Sequence, residues 1–443
     1  MKQIIGKIFI LSAICLAVLS GCGKNYSLNY SFNTETKVPP QYPDVSFAVI
    51  SDIHVYSAEL GSSGTAFEVT MSSDRKLLLD SIDLLDFAIS EILQTDASFV
   101  LIPGDLTKDG ELVNHMIAAD KLQQLVDANK SVYVVPGNHD VNNPESFSYS
   151  GNTTQFVQNV SEEDFAQIYE NFGYGSALMR DSNSLSYVAE PAEGMWLLAI
   201  DAARHSENVF GHHAIVGGKI SQATADWIAS VLREADRQNI AVMAMMHHGF
   251  GEHWKGQAKL HPDYIILDYE GFGKFLASWN VRAGFTGHYH AHDVKRNDFD
   301  NGKYLYDIET GSLITAPCPI RYVQLDSGMM NIRSDFFIEK LHPGTDFAEK
   351  GHAFVKKTVM LEAANTLRKY KVSEKDIAII ADAVGDAFAA HYSGDENPAL
   401  RPAIQKSKLG LWGRIVLSTQ QYVLDGLWQD LNPEDITVTL NLN

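Results

Sequence analysis

Six short apolar runs, at 46–51, 98–103, 131–136, 195–201, 240–247 and 281–286, alternate with amphipathic helical patterns at 74–94, 111–129, 161–172 and 221–239. Runs that are apolar throughout read as strands buried on both faces, and strands separated by helices pair in parallel inside an α/β layered fold. The residues just beyond the runs narrow the choice further. Five of the runs lead into residues of metal-ligand type: Asp52 and His54, Gly104 and Asp105, Gly137 to Asp140, His247 and His248, and Gly287 to His290. Singly, each has an ordinary explanation as a turn or a satisfied core pair. Together they require carboxylates and imidazoles to end apolar strands repeatedly, which is costly for a buried charge unless it is paired or metal-bound. The carboxyl ends of parallel strands are also where such folds bind ligands.

The rest of the chain is arranged around this core. With 443 residues and 45% hydrophobic content, it is long enough for one large domain and a smaller one. Lys2 and Lys7 precede an apolar stretch at 8–19 that is too short to span a bilayer comfortably, so the N-terminus reads as a signal sequence. Leu19, Ser20, Gly21 and Cys22 resemble the lipobox of bacterial lipoproteins. That likeness implies cleavage before Cys22, a lipid on its thiol, and residence in the bacterial cell envelope with the membrane as partner. The expected divisions are a signal peptide over 1–21, a tether over 22–44, an α/β catalytic domain over 45–335 and a helical domain over 343–443. Runs at 304–309, 320–325 and 331–335 lack helices between them and are expected to pair antiparallel. Helical patterns follow at 347–369, 373–392 and 411–431, and an alternating strand closes the chain at 436–442 with its sheet left open.

Three cysteines, one inside the signal and one at the lipidation position, leave only Cys318 free, so the mature chain has no internal disulfide. The formal charge is −20, and removing Lys2 and Lys7 takes it to −22. Such a surface excludes broad nucleic acid binding, although a small anion remains compatible with locally bound cations. The candidate donors mix carboxylate, amide oxygen and imidazole, which suits manganese, iron or zinc better than calcium. Asp52, His54, Asp105, Asn138, His247, His288 and His290 are too many for one tetrahedral ion. Two divalent or trivalent ions sharing a bridging carboxylate, about 3.5–4 Å apart, accommodate them and suit displacement at phosphorus.

The ordered set resembles the calcineurin-like metallophosphoesterase superfamily over about 45–335, and the resemblance implies a four-layer αββα sandwich. It further implies that Asp52, His54 and His290 hold one metal, that Asn138, His247 and His288 hold the other, and that Asp105 bridges them. His139 would lie beside the substrate, with Asp140 orienting it. Two departures are informative. Lys108 and His54 stand where the iron-tyrosinate branch has Tyr and lacks a His, so no purple centre is expected. Gly249 stands where relatives commonly carry Pro, which leaves open which of His247 and His248 binds metal; alignment favours His247 and gives His248 to the substrate. The segment 104–111, the export signal and the helical addition are similar to bacterial class III cyclic nucleotide phosphodiesterases.

These features lead to an expected reaction in which a metal-bridged hydroxide attacks phosphorus and His139 supplies a proton to the leaving oxygen. A cyclic nucleotide is the first expected substrate. The alternatives are a phosphomonoesterase, a glycerophosphodiesterase or a lipid-pyrophosphate hydrolase and, from another class, a cell-surface binding protein with a structural metal. His205, His212 and His213 follow the run ending at Asp201 and would line the substrate pocket, unless they are incidental to an exposed loop. The helices after 343 supply no expected ligand, so a chain cut there should keep its metals if it stays soluble.

Overall fold

The computed structural model describes residues 26–35, 37–72 and 74–443. The expected signal and Cys22 lie outside these residues. The first sheet runs edge to edge as β15 (Thr437–Asn441), β14 (Met329–Phe336), β13 (Pro319–Asp326), β1 (Val45–Val49), β2 (Phe99–Ile102) and β3 (Ser131–Val134). β1, β2 and β3 are parallel, whereas β13, β14 and β15 add on antiparallel from the β1 side. The second sheet runs β11 (Asp293–Asp298), β12 (Tyr304–Glu309), β10 (Ala283–Thr286), β9 (Ala241–Met246), β8 (Met195–Ile200), β7 (Tyr187–Ala192) and β6 (Met179–Arg180). A separate hairpin joins β4 (Phe147–Ser150) to β5 (Thr153–Phe156).

Side-chain alternation explains the layering. Along β8 and β9, Met195, Leu197, Ala199, Ala241, Met243 and Met245 enter the core between the sheets. Their neighbours Trp196, Leu198, Ile200, Val242, Ala244 and Met246 enter a second core with the helices Gln222–Gln238 and Tyr269–Ser278. Both faces of these strands are thus covered by apolar side chains, as their unbroken hydrophobicity requires. Phe47 of β1 stacks on Phe99 of β2 at 4.6 Å and meets Phe285 of β10 edge-on at 5.4 Å, which presses one sheet against the other. With the helices Ser81–Leu93 and Leu112–Asp127 on the first sheet, the four-layer αββα sandwich is complete. The helix Glu162–Ile168 begins on a capping box: Ser161 Oγ accepts from Asp164 N, and the Asp164 carboxylate accepts from Ser161 N.

Several features differ from the sequence reading: the helical pattern at 74–94, for one, is a helix only over Ser81–Leu93, after a short turn at Leu78–Asp80. The run 304–309 is antiparallel on one side only: β12 pairs antiparallel with the edge strand β11 and parallel with β10. The expected helix at 411–431 is broken into Leu411–Thr419 and Gln421–Leu427. Finally, the described part of the tether is docked onto the domain. Tyr30 stacks on Phe275 at 5.1 Å and its hydroxyl donates to Asp268 Oδ2, while Trp279 Nε1 donates to Ser31 O and Tyr42 OH to Val242 O. Tyr26, Leu28, Tyr30 and Phe32 alternate with polar residues, and that two-residue period marks a strap lying against a surface.

After β14 the chain forms the helices Phe347–Lys369 and Glu374–Ser393, then returns to pair β15 antiparallel with β14. Among the described residues no helix is long and apolar enough to cross a membrane.

Candidate dinuclear metal site

Five parallel strands, β1, β2, β3, β9 and β10, end at one edge of the sandwich, and the turn after each delivers a candidate ligand. These turns are tightly bent. Asp52, His54, Asp105, His288 and His290 all hold positive φ, between 36° and 77°. For residues other than glycine such backbone costs about 1–3 kcal/mol each and persists only where the surroundings enforce it. Here the turns brace one another: Asp52 N donates to Gly104 O, His54 N to Asp105 O, and Gly287 N to His247 O. Two glycines make room for the carboxylates. A Cβ on Gly137 would stand 2.1 Å from Asp105 Oδ1, and one on Gly287 would stand 2.3 Å from Asp52 Oδ2.

The side chains converge into two groups that share Asp105: Asp52, His54, Asp105 and His290, and Asp105, His247 and His288. Asp105 Oδ2 lies 3.5 Å from His54 Nε2 and 3.3 Å from His247 Nε2. His290 Nε2 lies 3.3 Å from Asp52 Oδ1 and 3.3 Å from His54 Nε2. Asn138 Oδ1 joins the second group 3.2 Å from His247 Nε2.

The ring nitrogens on the far side reveal what the near side wants. His54 Nδ1 donates to Thr107 O at 3.2 Å, His247 Nδ1 to Pro103 O at 2.8 Å and His288 Nε2 to Asp263 O at 3.1 Å. A ring so fixed, when neutral, turns a lone pair toward carboxylate and amide oxygens, an arrangement that a cation would satisfy. Backbone carbonyls fixing the outer nitrogen are the usual support of a metal-bound imidazole. Burial holds His54 and His288 well below the ordinary histidine range, so both are neutral. Burial pushes His247 down as well, but the Asp105 carboxylate outweighs it and lifts His247 to about 9, the response of a base to charge that a metal would otherwise balance. The donor set therefore fits two metal ions with Asp105 between them.

The sequence profile of the calcineurin-like phosphoesterases matches residues 45–292. The chain belongs to that family. As a calcineurin-like phosphoesterase it is a metal-dependent phosphoester hydrolase. A search of curated proteins finds no match. Among solved structures, a dimetal phosphatase from Danio rerio is 18% identical, with 66% of this chain and 96% of that chain covered and a TM-score of 0.46. A purple acid phosphatase from yellow lupin (Lupinus luteus) seeds is 13% identical at a TM-score of 0.41, with 68% of this chain and 52% of the lupin chain covered. The NAD nucleotidase of Haemophilus influenzae is 11% identical at a TM-score of 0.33, with 66% of this chain and 47% of that one covered.

In this phosphoesterase the metal-type residues open into a cleft of about 290 Å³, also lined by Arg75, Lys76, Lys108, Asp109, His139, Tyr264 and Tyr392. His139 faces it with a quarter of its side chain exposed; its backbone N donates to Asp105 Oδ1, and its Nδ1 lies 2.7 Å from Asp109 Oδ1. Burial lowers the His139 pKa, yet Asp105 and the bond to Asp109 raise it overall. Burial raises Asp109 too, but the Lys108 ammonium against its other oxygen holds it at about 2.

Asp109 thus has the orienting position that the sequence reading assigned to Asp140. The Asp140 carboxylate instead accepts from Gly137 N, Thr107 N and Thr107 Oγ1, tying together the two turns that carry Asn138 and Asp105. Lys108 and Asp109 were visible in the segment 104–111, but nothing in their spacing said which side chain turns toward His139.

The other expected pocket residues are placed differently. His248 is buried, and its Nε2 donates to Val216 O. His205 lies between Asp201, at 2.9 Å, and Glu162, at 3.1 Å. His212 is exposed, and His213 lies 2.8 Å from Glu145, which lines the cleft. Two residues missed in the sequence, Arg75 and Lys76, come from the loop before the helix Ser81–Leu93. The C-terminal helices hold that loop: Arg75 donates to Tyr392 OH at 2.6 Å and pairs with Glu362 at 3.1 Å, while Thr358 Oγ1 donates to Asp74 O.

Proposed function

We propose that this phosphoesterase cleaves small phosphodiesters, cyclic nucleotides first among them, in the cell envelope. The observation that carries the reading is the His139–Asp109 pair at the mouth of the metal-type cluster. A diester leaves as an alkoxide, which needs a proton, and a histidine kept protonated by carboxylates is suited to give one. Tyr264, half-buried at the cleft, offers a surface for a nucleobase, while Tyr392 is buried and holds Arg75. The volume of about 290 Å³ suits a small ligand.

In this reading Asp52, His54 and His290 hold one ion, Asn138, His247 and His288 hold the other, and Asp105 touches both. The ions are manganese, iron or zinc. Once bound, they supply Lewis acidity and positive charge at the phosphoryl group. The chain contributes the remaining steps. Asp109 fixes the His139 ring through Nδ1, so Nε2 presents the proton. Lys76 and Arg75 add positive charge to a chain whose overall charge is −20 and draw the anionic substrate inward. Cys22 carries the lipid that keeps the enzyme at the membrane, and Cys22→Ser should release it into the soluble fraction.

The test is turnover by metal-depleted and reloaded enzyme across 3′,5′- and 2′,3′-cyclic nucleotides, chromogenic diesters, chromogenic monoesters, glycerophosphodiesters and lipid pyrophosphates. Metal-dependent turnover that is fastest on cyclic nucleotides supports the proposal. A preference for monoesters or pyrophosphates overturns the substrate class, and absence of metal-dependent turnover on every ester overturns the reading altogether.

A further inference from the structure

A second gathering of metal-type donors, none of which lines the cleft, stands behind Tyr289 and Tyr392 where the C-terminal helices meet the second sheet. Asp293 opens β11, His391 lies in the last turn of the helix Glu374–Ser393, and Glu396 follows in the next loop. All three side chains are at most 2% exposed, and one donor atom from each lies within 4.8 Å of the others. His391 Nδ1 touches Glu396 Oε1 and stands 3.8 Å from Asp293 Oδ2. Asp293 Oδ1 is 2.6 Å from His253 Nδ1, which leaves Oδ2 for the cluster.

Two observations show that the side chains alone do not satisfy this site. Glu396 Oε2 has no hydrogen-bond partner although its side chain is buried, which is an expensive position for a carboxylate oxygen. Carboxyls also outnumber bases here. Asp293, Asp307, Glu309, Glu396 and Asp435 are buried together, and the basic groups among them are His253, His391 and Arg321. Arg321 spends its guanidinium on the carbonyls of Asp293, Glu309 and Asp435 and on Ser334 Oγ, making no direct bond to a carboxylate. Burial above all pushes Glu309 and Asp435 well above the ordinary acid range, so both hold their protons while no cation is near.

We propose that Asp293, His391 and Glu396 bind a third divalent metal ion, a structural one, which fastens the C-terminal helices to the second sheet. One imidazole nitrogen with two carboxylate oxygens suits zinc or manganese. His253 stands behind as the partner that holds Asp293 in place. The ion links β11 to segments about a hundred residues later in the chain, so its effect falls on stability and not on turnover.

The test uses the full-length protein, stripped with chelator, reloaded with Zn²⁺ or with Mn²⁺ alone, desalted, and measured for metal per chain and for Tm. Wild type should retain three ions. Glu396→Gln and His391→Ala should each retain two and melt several degrees lower, with phosphoester turnover within about twofold of wild type. Asp105→Asn, which disables the shared carboxylate of the cleft, should still hold the third ion. Equal metal content in wild type and Glu396→Gln, with either metal, overturns the proposal. If His391→Ala does not fold, the near-isosteric Glu396→Gln decides the matter. An ion lost in Glu396→Gln but kept in Asp105→Asn supports this site even if the cleft fails to hold two.

Discussion

Lys76 sets its ammonium in a cleft whose donor cluster already fits two cations, and its loose pairing with Asp74 at 3.7 Å leaves it able to reach an anion. It is near enough to His54, His139 and Asp109 to bear on the ionisation of all three. A hydrogen bond to a charged group is worth about 1.5–3 kcal/mol, so Lys76→Ala should lower kcat/KM by roughly 10- to 100-fold with metal content unchanged. Lys76→Arg should recover part of that loss. His139→Ala should also keep its metals, but its defect should depend on the leaving group. A ribose ester should lose most of the roughly 10²- to 10⁴-fold that general acid catalysis supplies, and a nitrophenyl ester much less. Equal losses on the two esters would assign His139 to phosphoryl binding instead. The metal-type residues and His139 were legible in the sequence because they recur where apolar strands stop. Lys76 was not, because it fell within the helical pattern at 74–94, where a lysine reads as part of a solvated face, and its neighbours in space come from distant segments.

At the scale of elements, the strands and the helices between them followed from hydrophobic period, and 347–369 was found as the helix Phe347–Lys369. What pattern could not supply was partnership. β12 is buried along its whole length although Asp307 and Glu309 interrupt its apolar residues, and nothing in that short run says that it pairs parallel with β10 on one side and antiparallel with β11 on the other. His205 shows the cost of reading residues before contacts. It joins the turn after β8 to the helix Glu162–Ile168 through Asp201 and Glu162. Burial lowers its pKa, but Asp201 and Glu162 together raise it to about 10 from an ordinary value near 6.5. A raised folded-state pKa stabilises fully below the unfolded value, and that stability is lost as pH climbs through the folded one. His205→Gln should therefore lower Tm most near pH 6, and the gap to wild type should narrow steadily toward pH 10. A gap constant with pH would show that the ion pair contributes nothing.

For the whole molecule, the sequence reading made the region after 343 separable, and the contacts argue the reverse. Thr358, Glu362 and Tyr392 hold the loop that carries Arg75 and Lys76, and Asp435 O is an acceptor for buried Arg321. Deleting 437–443 alone should leave β14 as an open edge strand and turn a soluble protein into an aggregating one. A monomeric, fully active product on size-exclusion chromatography would refute this. β15 has a further consequence. The first sheet is built from the two ends of the chain, with Val45 of β1 opposite Leu325 of β13 and Met329 of β14 opposite Asn441 of β15. During synthesis, β1 emerges some 270 residues before its antiparallel neighbour β13 exists, and the sheet closes only when β15 follows. At roughly 5–20 residues per second that wait lasts tens of seconds, during which the nascent chain presents an apolar strand edge to its surroundings. Closure of this sheet thus waits on strands that lie far along the chain from β1, and a holding chaperone would serve the protein until they pair.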